Sequence, residues 1–202
     1  MNDALSRFER YLHAEDDYPP LVRLGFIHYQ FEAIHPFLDG NGRIGRLLIT
    51  LLLVHWDLLP LPLLYLSAYF EKHRQQYYDR LMKVSTQGDW HSWLVFFLTG
   101  ITEQANDAIR RAKELQDISQ QWQSQLQKTN ATALMHRVAD LLTERPILSA
   151  QDICTQFNVS HQTAMRVIQR LIDVGILERI DDRRRKQYFL ARQIVDVAQS
   201  PE

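Results

Sequence analysis

The sequence contains a single cysteine, Cys154. A disulfide framework is excluded, as is a metal site built from several thiolates, and a reducing cytoplasm is the expected location. Net charge is almost absent as well: 23 basic and 24 acidic residues leave −1. No general attraction to nucleic acid or an anionic membrane follows, so any such preference is local. No signal peptide is expected from the opening residues, which are polar and charged. An uninterrupted apolar span is lacking too. The stretch Leu47 to Leu66 is broken by Asp57, Pro60 and Pro62, whereas a membrane helix needs about 20 mostly apolar residues. It reads as a buried core helix with an extended continuation, and no membrane partner is expected. What remains is the composition of a soluble globular protein, 46% apolar and 23% charged over 202 residues, enough for one or two domains.

The chemistry concentrates in His35 to Arg46, His-Pro-Phe-Leu-Asp-Gly-Asn-Gly-Arg-Ile-Gly-Arg, directly before the apolar run Leu47 to Val54. Gly40 and Gly42 permit backbone conformations that side chains block and allow close approach to a ligand. A loop feeding a helix N-terminus aims several N–H groups at one spot, where the helix dipole adds positive potential, which suits phosphate. Arg43 and Arg46 lie three apart and can flank one face, with guanidinium forks that match phosphate oxygens. Asp39 is a hard oxygen ligand of the kind that holds Mg²⁺ together with substrate phosphates. Histidine is the side chain suited to proton transfer at neutral pH, which makes His35 the candidate general base. Together these are the parts of phosphoryl or nucleotidyl transfer.

The same run resembles the signature of the Fic family, His-Pro-Phe-x-Asp/Glu-Gly-Asn-Gly-Arg-x-x-Arg, at every specified position. The resemblance extends from about Leu5 to about Leu115. It takes in Phe31-Glu32-Ala33-Ile34, Gly88-Asp89-Trp90, Trp93 and Phe96-Phe97-Leu98. It implies a mainly α fold, a Fic-type helical bundle that transfers AMP from ATP to a hydroxyl side chain of a target protein. By that resemblance His35 deprotonates the hydroxyl and Asp39 binds Mg²⁺ at the α- and β-phosphates. Phe37, Asp39, Gly40, Asn41, Gly42, Arg43 and Arg46 form the nucleotide site, with Arg46 on the γ-phosphate. Gln30 and Lys72 are weaker candidates on the nucleotide side, suggested by family position. Gly42 also bears on class, since the related Doc kinases carry Lys there. Family members of this size usually begin with a further region, which holds an inhibitory Ser/Thr-x-x-x-Glu-Gly/Asn helix and a target-aligning flap. Neither is found here. The expectation is a chain without that part, as a fragment, as a natural short form, or with the flap supplied by a partner. Inhibition by an intrachain Glu is then absent, and so is target docking by β-augmentation.

Around the loop, helices are expected over Asn2 to Leu12, with Leu5, Phe8 and Leu12 inward, and over Pro20 to Ile34, with Leu24, Ile27, Phe31 and Ile34 inward. His28 is read as a packed or exposed helix residue. The central helix is expected over Ile44 to Leu58. Ser67 is expected to N-cap a helix containing Tyr69, Phe70 and Tyr77. Trp90 to Thr102 is an aromatic helix. Glu103 to Lys128 is a long polar one, with a seam through Ile101, Ala105, Ala108, Ala112, Leu115, Trp122 and Leu126. That seam suits a homodimeric coiled coil or packing against the catalytic helices, and the second is expected because it is short and rich in Ala. Lys128 to Ala131 is the expected boundary between a catalytic domain, 1–128, and a small α+β domain, 131–192.

The second domain resembles a winged helix-turn-helix. It comprises helices over Ala131 to Leu142 and Gln151 to Phe157, a Ser160-capped helix to Val174, and strands over Ile176 to Ile180 and Gln187 to Leu190. The capped helix presents Ser160, His161, Gln162 and Thr163 where base edges are read, with Arg166 and Arg170 one turn apart. Arg183, Arg184, Arg185 and Lys186 near the wing tip suit phosphates. Asp173, Glu178, Asp181 and Asp182 dilute that charge, and such a domain also serves as a protein-docking module. Two functions stay open: a protein adenylyltransferase, or a DNA-binding regulator whose Fic part only binds nucleotide.

Overall fold

The computed structural model describes residues 2–14, 17–180 and 187–199. Two compact units divide between Ala108 and Ile109.

In the first unit, α1 (Asn2–His13) is followed by α2 (Pro20–Ile34), which starts with Pro at its first position. There the missing N–H costs nothing and φ is already helical. α3 (Asn41–His55) begins three residues before the expected start, since Gly40 takes φ 84° and turns the chain into the helix. Of its apolar run only one face is buried, with Ile49, Leu52 and Leu53 inward, whereas Leu47 and Leu51 are exposed. The buried core helix expected here is thus buried on one face. α4 (Leu66–Lys72) and α5 (Arg74–Gln87) replace the single expected helix, with the break at His73 (φ −109°, ψ 32°). Ser67 lies inside α4 and is not its cap, which is Tyr65 without a side-chain bond. α6 (Trp90–Lys128) merges the aromatic and polar helices into one.

The first core joins Leu24, Ile27, Phe31, Ile49, Leu53, Trp93 and Phe97 with Phe70 and Tyr77. α2 and α3 pack closely because Gly45 has no side chain. A Cβ there would stand 2.7 Å from Glu32 Oε1, 3.0 Å from Phe31 Cδ1 and 3.3 Å from His28 Cε1. The α6 seam does not pack as expected along its length. Ile101 joins the first core, but Trp122 and Leu126 are buried in the second, with Leu115 packed against it, and Ala112 is exposed. This is why the units part inside α6, ahead of Lys128 to Ala131.

In the second unit, α7 (Ala133–Glu144) is capped by Thr132, and β1 (Ile147–Ser149) leads into α8 (Ala150–Phe157). Ser149 and Asp152 exchange bonds there as a capping box. Asn158 turns left-handed at the end of α8, and Ser160 caps α9 (His161–Asp173) by accepting from the Thr163 N–H. β2 (Glu178–Arg179) and β3 (Tyr188–Leu190) complete an antiparallel sheet in the order β1-β3-β2, with Leu148 opposite Phe189 and Arg179 opposite Phe189 on the other side. The strands are shorter than expected because Ile176 and Leu177 turn into the core. The sequence reading missed β1 and α10 (Arg192–Gln199). Arg111 donates to the carbonyls of Val197 and Ala198 at the end of α10, where a helix terminus favours a cation.

His28 is the packed alternative of the two expected: it is 1% exposed, stacks on Phe70 and Trp93, and shares a 3.0 Å hydrogen bond between Nε2 and the Tyr77 hydroxyl. Burial pushes its imidazole from an ordinary value of 6.5 down to about 3. As pH falls through 6.5 the unfolded chain takes up this proton and the folded chain does not. The stabilisation is therefore complete above pH 6.5 and declines toward pH 3, at up to about 1.4 kcal/mol per pH unit. Urea unfolding of the wild type and His28→Gln at pH 7, 6 and 5 is expected to show a shallower acid decline in the variant; equal declines would contradict this.

Candidate functional site

The loop is closed by one side chain. Asn41 Oδ1 accepts from the Phe37 N–H at 2.8 Å, and its Nδ2 donates to the Phe37 carbonyl at 2.6 Å. Asn41 is 2% exposed, so these bonds form away from solvent, where leaving them unmade is costly. Before the loop, α2 ends at His35 in a left-handed conformation, φ 50° and ψ 58°, its N–H donating to the Phe31 carbonyl at 3.0 Å. A residue with a side chain rarely adopts that conformation, and such residues cluster at functional sites. The turn leaves the His35 side chain exposed. Phe37 is also half exposed, and Leu38 fully so.

Asp39 Oδ1 accepts from the Gly40 N–H at 2.7 Å, and its Oδ2 accepts from Arg43 Nη2 at 3.2 Å. This ion pair is exposed on both sides, so it is readily exchanged for a ligand. α3 starts at Asn41, which puts the N–H groups of Asn41, Gly42 and Arg43 in a first turn that a helix leaves without internal partners. Since the Asn41 amide is turned onto Phe37, its backbone N–H is what it presents to an anion. Arg46 Nε donates to Ser67 Oγ on α4 at 3.1 Å, and Arg46 Nη1 lies 3.0 Å from where a Cβ on Gly42 would stand. His35, Asp39, Gly40, Gly42, Arg43 and Arg46 thus fall on one turn and the first helical turns behind it. Beneath them burial pushes the Glu32 carboxyl above its ordinary value, against the pull of His35 and then Arg46. Sequence reasoning gave no site role to Glu32 and read Ser67 as a helix cap. The signal for Glu32 was a charge set in Phe31-Glu32-Ala33-Ile34, directly before His35.

Among the described residues no group of three or more His, Cys, Asp or Glu side chains is placed to hold a metal. The loop offers the exposed Asp39 carboxylate. That donor fits Mg²⁺ only in company with phosphate oxygens, the arrangement this ion commonly adopts. Two weaker candidates fall elsewhere. Gln30 lines a cavity of about 810 Å³ with Phe8, Tyr11, Tyr18, Phe26 and Trp90, and no loop residue lines it. Lys72 is exposed in the last turn of α4.

In the second unit, Gln162 and Arg166 are exposed on α9 and Thr163 is half-buried beside its cap. Arg170 is half-buried and reaches the Asn130 carbonyl at 3.5 Å. Arg183, Arg184, Arg185 and Lys186 lie outside the described residues, as does the turn at Asp181-Asp182.

Among the described residues no helix is long and apolar enough to cross a membrane. Residues 1–53 match the Fic/DOC family model, and residues 132–187 match the MarR family model. The chain is 37% identical over 105 residues to a protein adenylyltransferase Fic of Culex quinquefasciatus, covering 51% of this chain and 19% of that protein. It is 33% identical over 105 residues to the protein of the same name in Drosophila persimilis, with the same coverage. The chain thus spans about a fifth of the length of these relatives. A crystal structure of a Fic family protein from Desulfovibrio desulfuricans G20 superposes with a TM-score of 0.51 at 23% identity, covering 94% of this chain and 54% of that one. That likeness is one of fold. The chain is therefore similar to the Fic/DOC family over residues 1–53 and to the MarR family over residues 132–187.

Proposed function

We propose that the chain is a protein adenylyltransferase that moves AMP from ATP to a hydroxyl side chain of a target protein. The observation that carries this reading is the Asn41-closed glycine loop at the α3 N-terminus, with an exposed His35 at one edge and Arg46 at the other. The first-turn N–H groups, Arg43 and Arg46 bind phosphate oxygens. The target's hydroxyl oxygen bonds to the α-phosphorus while its proton passes to the His35 imidazole. The bond from that phosphorus to the bridging oxygen breaks, and pyrophosphate leaves. Asp39, together with the phosphates, would hold Mg²⁺, which would supply neutralisation of the charge on the leaving oxygens. Gly42 in place of the Lys of Doc kinases supports AMP transfer over phosphate transfer. A reducing cytoplasm suits the lone Cys154.

With radiolabelled ATP and a cell lysate as acceptor, His35→Ala is expected to lose label transfer by about a hundredfold or more, the usual scale of a lost general base. Its ATP affinity is expected to stay within about twofold. Transfer at the wild-type rate in the variant would overturn the role of His35.

The match of residues 132–187 to the MarR family, together with Gln162 and Arg166 exposed on α9, supports a second reading, in which the chain also binds DNA. Under this reading duplex affinity falls steeply with salt, and Arg166→Ala lowers the salt slope by about one phosphate contact. A fluorescence anisotropy titration that finds no duplex binding at 50 mM salt would contradict it.

A further inference from the structure

In sequence Ser67 itself reads as a helix cap, yet its hydroxyl is the acceptor for Arg46 Nε across 21 positions of sequence. We propose that Ser67 is the positioning residue for Arg46, fixing the guanidinium so that its Nη edge grips the terminal phosphate of a nucleoside triphosphate; this rests on the adenylyltransferase reading above.

The geometry of the guanidinium carries the argument. It has five N–H donors in a rigid plane. Ser67 takes the one on Nε and leaves the four on Nη1 and Nη2 for an incoming anion. Nη1 lies against Gly42, 3.0 Å from the place a Cβ would occupy, so the Nη edge sits over the glycine turn whose N–H groups serve the rest of the phosphate chain. Ser67 is itself held firmly: its neighbours Leu66, Tyr69 and Phe70 on α4 are all buried in the first core. A side chain supported by packed neighbours fixes its partner better than one on a free loop. Without it, Arg46 would have to lose the freedom of a long flexible side chain each time it gripped a phosphate.

Charge explains why the holder is a hydroxyl. The partly buried Glu32 carboxyl lies near enough for Arg46 to lower its pKa, and its Oε1 has no hydrogen-bond partner. A carboxylate that captured Arg46 would neutralise the cation and compete with the phosphate. Ser67 sets direction without removing charge.

Calorimetry of the full chain with ATP and with ADP, each with Mg²⁺, tests this. Ser67→Ala is expected to weaken ATP about tenfold, the equivalent of one such contact, with ADP affinity unchanged. Retained ADP binding also reports that the variant folds. Ser67→Thr, which keeps the hydroxyl, should restore ATP affinity. Ser67→Ala added to Arg46→Ala should change nothing further. Wild-type ATP affinity in Ser67→Ala, or equal losses for ATP and ADP, would overturn the role of Ser67. A wild type that binds neither nucleotide would overturn the adenylyltransferase reading and this inference with it.

Discussion

The candidate site depends on one amide. Asn41 bonds both the N–H and the carbonyl of Phe37, so the side chain does the work of a backbone partner for a segment that has none. That closes the turn between α2 and α3 and fixes the direction in which α3 begins. Gly40 takes its left-handed conformation, and α3 begins at Asn41 with its first-turn N–H groups lacking helical partners. Because the amide is buried, losing it would strand two backbone polar groups away from water.

Beneath the turn the constraint is close packing. Gly45 lets α2 and α3 approach until Phe31, Glu32 and His28 crowd the place that its Cβ would occupy. The same approach brings polar groups into a mostly aromatic core. His28 is kept neutral by burial, and its neighbour Tyr77 likewise has its hydroxyl held protonated. Glu32 sits at the margin, shared electrostatically between His35 and Arg46. The candidate site is therefore a close-packed floor beneath exposed polar side chains.

Much of this was legible in the sequence, because the loop residues are adjacent in the chain. Three glycines, a His, an Asp and two Arg between His35 and Arg46 point to a turn before a helix, which is what Gly40 and the α3 start at Asn41 form. The winged helix was legible through its punctuation, with Ser149, Asn158, Ser160 and Gly175 marking starts and stops. What could not be read depended on residues far apart or on side-chain direction. Ser67 has the composition of a cap, and only the fold sets it opposite Arg46. Asn41 has the composition of a phosphate ligand, and only the turn geometry directs its amide inward. The apolar run after the loop gave no sign that Leu47 and Leu51 face outward, since a continuous run has no periodicity to read. The α6 seam reads in sequence as one stripe interrupted at Ser119, and its two ends serve different cores. β1 and α10 are too short to rise above their surroundings.

The most direct test of the central claim is the affinity of ATP and Mg²⁺ for the intact chain, measured by calorimetry on the wild type and on Asn41→Ala. The account predicts association by the wild type and a loss of about tenfold or more in the variant, with helical content by circular dichroism unchanged. Equal affinity in the two proteins would contradict it.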